Sequence, residues 1–262
     1  MSEFENKSVI VSGGANGIGR AICIAFAQAG AHVLCADVDE DAGKQLAADS
    51  AGYAGEIVFQ RADAAEDKAC KKLVETAVEA WGTVDVLCNN VGIQPYSSYV
   101  PAHELPVEMW DRILDVNLKS YFLLAKYAIP HMLKQEKGVI INTASVQGLQ
   151  SAKGVSAYAA SKGAILSLTR QLALEYAEQG IRVLAVNPGT IDTNMPAEGS
   201  KGMNMEHAEL LKVWGAAHPM NRVGKPEEIA SVVLFLAGDG ASFMTGESVS
   251  VDGGMMAKGA WA

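Results

Sequence analysis

The chain has 262 residues, enough to bury a full core in one domain, and is read as a single domain spanning 1–262. A net charge of -9 speaks against nucleic acid or anionic membrane as main partners. No apolar run reaches transmembrane length, and 49% apolar residues with 26 glycines fit a compact α/β protein with tight turns.

The start, MSEFENKSVIVSGG, goes straight into a strand, with no basic n-region or signal-peptide core. Cys23, Cys35, Cys70 and Cys88 are scattered through apolar runs, with no CxxC pair and no His at metal-ligand spacing. They read as buried thiols, which suits a reducing compartment, so a soluble cytoplasmic protein without a metal is expected.

KSVIVS is a first strand. It runs into GGANGIGRAICIAFAQAG, where Gly13, Gly17 and Gly19 have G-x-x-x-G-x-G spacing with Asn16 and Ile18 between them. Glycines placed after a strand and opening an amphipathic helix let the backbone approach a pyrophosphate, which then sits on the helix N-terminus. The second strand, AHVLCAD, ends at Asp37. A carboxylate there can accept hydrogen bonds from both ribose hydroxyls and would repel a 2′-phosphate, so NAD is favoured over NADP. The alternative is that Asp37 only forms a turn. Arg20, the nearby cation, is read as a surface residue.

A polar helix from Glu40 to about Ser50 precedes the strand EIVFQ. Asp63 lies just beyond that strand. It could bond an adenine amino group or cap the helix that starts near Glu66, and position alone does not decide. Lys68 to Trp81 is helical, and TVDVLCNNVG is the fourth strand with its exit loop. Asn89, Asn90 and Gly92 there suit backbone bracing beside a cofactor. The loop Gly92–Pro106 is expected at the active-site rim, followed by a long helix from about Val107 to Lys134. Asn117 falls inside that helix, a poor position for its type, where it either bonds backbone locally or holds a water.

GVIINTA is the fifth strand and leads into SVQGLQSAKGVSAYAASK. Ser145 is placed at the strand's C-terminal end. Tyr158 and Lys162 are four apart at the start of the next helix, on one face of it. A Tyr and a Lys so spaced can be merely a packed ring and a solvated edge. They can also do chemistry. A free phenol has a pKa of about 10. An ammonium about 5 Å away contributes about 3 kcal/mol at an effective dielectric of about 20, which would lower the phenol's pKa by roughly two units. Tyr158 could then exchange a proton with a substrate oxygen that Ser145 holds by a hydrogen bond.

IRVLAVNPGTIDTNMP is the sixth strand, ending at Asn187, with a turn forced by Pro188 and Gly189. Ile191 and Thr193 then fall near the nicotinamide end of a bound cofactor. The stretch at about 190–220 is expected to be a mobile substrate flap with a short helix around Glu206 to Trp214. PEEIASVVLFLAG is a helix with Pro226 in its first turn, and SVSVDGG is the last strand. Seven strands, six of them alternating with helices, argue for a doubly wound parallel sheet. Gly13, Asp37, Asn90, Ser145 and Gly189 all fall on its C-terminal edge, where such sheets bind ligands.

With these motifs in place, the chain resembles a short-chain dehydrogenase/reductase of the single-domain Rossmann type, from SGGANGIG to VDGG. The resemblance implies that Tyr158 is the general acid/base and Ser145 positions the substrate oxygen. It implies that Lys162 lowers the tyrosine's pKa and holds the nicotinamide ribose, and that Asn117 holds a water in a proton relay. It gives Asp37 the selection of NAD, Asp63 with Ala64 the adenine, and Asn90 a place by the cofactor ribose. It also implies a homotetramer built partly from the long helices. Val91 departs from the usual Ala of the NNVG motif, and the loop after Gly92 looks longer than usual.

The reading is of an NAD-dependent oxidoreductase interconverting a secondary alcohol (a sugar, a polyol, or an alicyclic or steroid-like alcohol) and its ketone. Gln94, Tyr96, Gln147, Gln150, Lys153, Asn194 and Trp214 are the candidates for substrate contact. A 3-oxoacyl-(acyl-carrier-protein) reductase shares these motifs, but Asp37 and the acidic composition speak against it. A nucleotide-sensing protein without turnover would not need the filled catalytic positions.

Overall fold

The computed structural model describes residues 3–193 and 206–258. Seven parallel strands form one sheet in the order β3-β2-β1-β4-β5-β6-β7. They are β1 Ser8–Ser12, β2 His32–Asp37, β3 Glu56–Arg61, β4 Val86–Asn89, β5 Gly138–Thr143, β6 Ile181–Pro188 and β7 Ser248–Val251. Strand order reverses between β1 and β4, so a crevice opens at the C-terminal edge there.

The helices connecting the strands cover both faces. They are α1 Gly17–Gln28, α2 Glu40–Asp49, α3 Asp67–Trp81, α4 Val107–Leu114, α5 Ser120–Lys134, α6 Ser156–Tyr176, α7 His207–Gly215 and α8 Pro226–Ala237. With both faces buried, the inner strands are continuously apolar rather than alternating. Val9 and Val11 pack in the core with α1 and α8, while Ile10 between them packs in the core with α3 and α5. The four cysteines are free and buried, and burial pushes the Cys70 thiol up to about 12.

Two boundaries differ from expectation. β6 extends through Pro188, which pairs with Val251 of β7; a strand end needs no N–H from its proline. The long helix expected over Val107 to Lys134 is interrupted by a π turn, Asp115–Lys119, which contains Asn117. The wider turn accommodates a residue that an α-helix disfavours.

Candidate active site

The glycine-rich loop closes over the ends of β1 and β4. Gly13 has φ +63, and a Cβ there would lie 2.7 Å from the Val91 Cα. A Cβ on Gly19 would come within 1.9 Å of the Gly13 carbonyl oxygen, so only glycine lets helix and loop meet this closely. Asn90 braces the same loop, its Nδ2 donating to the carbonyls of Ser12 (3.2 Å) and Gly13 (3.0 Å). No described side chain caps α1, and its first turn carries no acidic residue, so the N–H groups at its start face the crevice available to an anion. Backbone that only glycine can form, at the open N-terminus of a helix, fits the pyrophosphate of a dinucleotide.

The acidic residues have structural partners as well. Asp37 Oδ2 accepts from Ala15 N–H at 3.0 Å and Oδ1 from Asp39 N–H at 3.1 Å. It therefore forms a turn and also anchors the glycine loop. Asn16 donates to Asp39, which caps α2 through Ala42 N–H. Arg20 is on the surface, 3.8 Å from Asp49. Asp63 does not cap α3: it accepts from Ala65 N–H and from Arg112 across the surface, which ties Ala64 into a short turn.

β5 delivers Ser145 to the crevice, and the first two turns of α6 deliver Tyr158 and Lys162. The Ser145 Oγ accepts from Gln147 N–H at 3.1 Å. Lys162 is 3% exposed; its Nζ donates to the Thr143 carbonyl at 2.8 Å and lies 5.6 Å from the Tyr158 ring centre. The same carbonyl accepts from the buried Tyr121 hydroxyl. Burial holds Lys162 down at about 7. Burial also raises Tyr158 to about 12, against a lowering by the neighbouring Ser145 hydroxyl. The expected lowering by an ammonium is thus corrected. Desolvation opposes the charged form of both groups and outweighs the attraction between them.

Asn117 neither bonds its own helix nor stays free. Its Oδ1 accepts from Ile93 N–H at 2.7 Å, and its Nδ2 donates to the Ile93 carbonyl at 3.0 Å and to Ser161 Oγ at 3.3 Å. Ser161 in turn donates to the Tyr158 carbonyl. The carboxamide therefore clamps the loop after Gly92 to the helix that carries Tyr158.

These segments enclose a cavity of about 470 Å³. Ile18, Asn90, Gly92, Gln94, Ser145, Gln147, Gln150, Lys153, Tyr158, Lys162, Pro188, Gly189, Ile191, Thr193 and Trp214 all line it. Gly13, Asn16, Gly17, Gly19, Asp37, Asp63 and Ala64 lie outside its lining, toward the ends of β1 to β3, where the adenosine half of a dinucleotide would run. Tyr96 is a correction: it is 42% exposed and stacks on Tyr99, and Tyr99 is the ring that reaches the cavity. A 3-10 turn at Tyr96–Ser98 sets this choice, and no sequence period shows it. Asn194 and the part of the expected flap over 194–205 lie outside the described residues. Val155, Ala217 and Met255 also line the cavity; they are apolar residues indistinguishable by type from core.

A family profile described as enoyl-(acyl carrier protein) reductase matches residues 13–256. The cyclohexanol dehydrogenase of Acinetobacter sp. (strain SE19) is 37% identical over 257 residues, 98% of this chain and 98% of that one. The meso-2,3-butanediol dehydrogenase of Serratia marcescens is 36% identical, covering 97% of this chain and 96% of its own. The crystal structure of levodione reductase superimposes with a TM-score of 0.93 at 31% identity, over 98% of this chain and 100% of the other. With the glycine loop, the sheet order and these likenesses together, the chain belongs to the short-chain dehydrogenase/reductase family of oxidoreductases.

Proposed function

We propose that the protein is an NAD-dependent dehydrogenase that interconverts a secondary alcohol and its ketone. One observation carries this reading: Ser145, Tyr158 and Lys162 line one cavity beside the glycine loop. A nicotinamide dinucleotide bound along that edge supplies the hydride acceptor. Ser145 fixes the substrate oxygen by a hydrogen bond. Tyr158 takes the hydroxyl proton as the hydride departs and gives up its own phenolic proton toward Lys162, whose amine is held at about 7 and can accept it, so free phenolate need not build up at neutral pH. Lys162 stands behind it as the route to the ribose. Asn117 holds the clamp described above; Gly92 leaves open backbone between its Oδ1 and the Lys162 Nζ, in keeping with a proton path there. Asp37 supports NAD over NADP, since a carboxylate repels a 2′-phosphate. The four free cysteines support a cytoplasmic setting, and no helix among the described residues is long and apolar enough to cross a membrane.

The test is reduction of NAD and, separately, NADP over a panel of sugars, polyols, alicyclic alcohols and hydroxysteroids. NAD reduction is expected, and Tyr158→Phe should lose it by at least about a hundredfold while keeping NAD affinity. Equal turnover in the two proteins would overturn the role of Tyr158. Reduction of NADP alone would overturn that of Asp37 and favour the carrier-protein reductase.

A further inference from the structure

A buried imidazole holds the loop that leaves β6. Most of that loop is tied by its backbone. Gly189 N–H donates to the Val251 carbonyl, the Thr190 carbonyl accepts from Gly224 N–H, and Asp192 N–H donates to the Gly224 carbonyl. Thr190 N–H instead donates to a side chain, the Nε2 of His218, at 3.1 Å. His218 lies 28 residues further on, just beyond α7, and is 3% exposed. A Cβ on Gly189 would stand 2.8 Å from that same Nε2, so the ring is in contact with the loop backbone.

The tautomer follows from the partners. A backbone N–H only donates, so Nε2 carries no proton. A carbonyl only accepts, and the Trp214 carbonyl lies 3.0 Å from Nδ1, so Nδ1 carries it. The neutral ring is satisfied on both sides: the bond to Trp214 orients it, and the bond from Thr190 is the one it offers the loop. α7 meets the loop at its other end too, where His207 Nε2 lies 3.0 Å from Asp192 Oδ1. Those side chains are 40% and 48% exposed, so water screens that pair and His218 is the firmer tie.

What the ring holds faces the cavity, while the ring does not. Gly189, Thr190, Ile191 and Thr193 line the cavity that contains Tyr158. His218 borders a separate cavity of about 110 Å³ that shares only Thr190 and Ile191 with the first. A loop that is already ordered costs less to bind. We infer that His218 is a positioning residue, whose Nε2 orders the loop 189–193 in advance for the nicotinamide end of the cofactor. The inference rests on the dehydrogenase reading of that loop and adds to it a residue outside the ligand cavity.

The test is NADH binding without alcohol, followed by NADH fluorescence, in wild type, His218→Gln, His218→Asn and His218→Phe. Gln places its carboxamide oxygen where Nε2 stands and keeps the acceptor for Thr190. Asn keeps only the donor toward Trp214, and Phe keeps neither. The Gln variant should bind within about threefold of wild type and the other two about tenfold more weakly, since a loop whose buried N–H has lost its acceptor must be ordered at the moment of binding. A merely structural role would make Gln and Asn alike, each being one bond short. Equal dissociation constants in those two, or a Phe variant that binds as wild type does, overturns the inference. The wild type supplies a second measurement that needs no variant to fold. Its Thr190 amide should be protected from hydrogen exchange before NADH is added, and protection that arises only with NADH overturns the ordering in advance. A wild type that binds neither NADH nor NADPH overturns the dehydrogenase reading, and the inference with it; should only NADPH bind, the same comparison is made with NADPH.

Discussion

At the scale of single residues, the site's chemistry is dominated by burial. The Tyr158–Lys162 spacing was legible in the sequence because four residues on a helix share a face whatever surrounds them. The charge states were not, because they depend on how much protein closes over them. Lys162 sits at about 7 when folded, below its ordinary value of 10.5. Between those values the unfolded chain binds more protons than the folded one, so stability must rise with pH. Near pH 8 the rise should be about 1 kcal/mol per unit. Tyr158, raised to about 12, acts in the opposite sense, but only above pH 10. Urea denaturation of the cofactor-free protein between pH 7 and 8.5 should show the rise, and Lys162→Met should remove it. Parallel slopes in the two proteins would mean that Lys162 stays charged.

At the scale of elements, strands and helices followed the apolar periodicity closely, since each has a sequence period of its own. Contacts between elements do not. Arg182 in β6 donates to the carbonyls of Leu236, Ala237 and Gly238, so a strand residue caps the C-terminal end of α8 from 54 to 56 positions away. The π turn at Asp115–Lys119 is similar in kind. A mid-helix Asn announced something irregular at 117, but its partner, Ile93, lies 24 residues back in a loop. Asn117→Ala removes three hydrogen bonds at a fully buried position and strands both backbone groups of Ile93. The expected loss is about 2–4 kcal/mol of stability. It should appear in chemical denaturation, together with a lower kcat, because the clamp reaches Tyr158 through Ser161. A variant as stable as wild type would show that the loop after Gly92 is held by other contacts.

At the scale of the whole molecule, sheet order concentrates the site on one edge, so the strand pattern alone brings residues from Gly13 to Gly189 together. The substrate wall was less legible. It draws on separate loops whose side chains differ from ordinary surface only in where they end up, as Tyr96 and Tyr99 illustrate. The outer surface raises the remaining question. Leu174 on α6 is 82% exposed and Phe122 on α5 is 50% exposed. Phe235 and Phe243, at 54% and 104%, belong to the α8 region that packs against β7, and β7 is an edge strand. Side chains of this size and exposure are positions that a second copy of the chain could cover. Two separate apolar faces are what a tetramer of twofold axes requires, one for each dimer contact. The homotetramer that the family resemblance implies makes a stepwise prediction. Leu174→Glu buries an unpaired charge in one interface and Phe243→Glu in the other, so each variant alone should run as a dimer and the double variant as a monomer. Size-exclusion chromatography with light scattering reads all three states directly. A wild-type protein at the mass of one chain would refute the assembly.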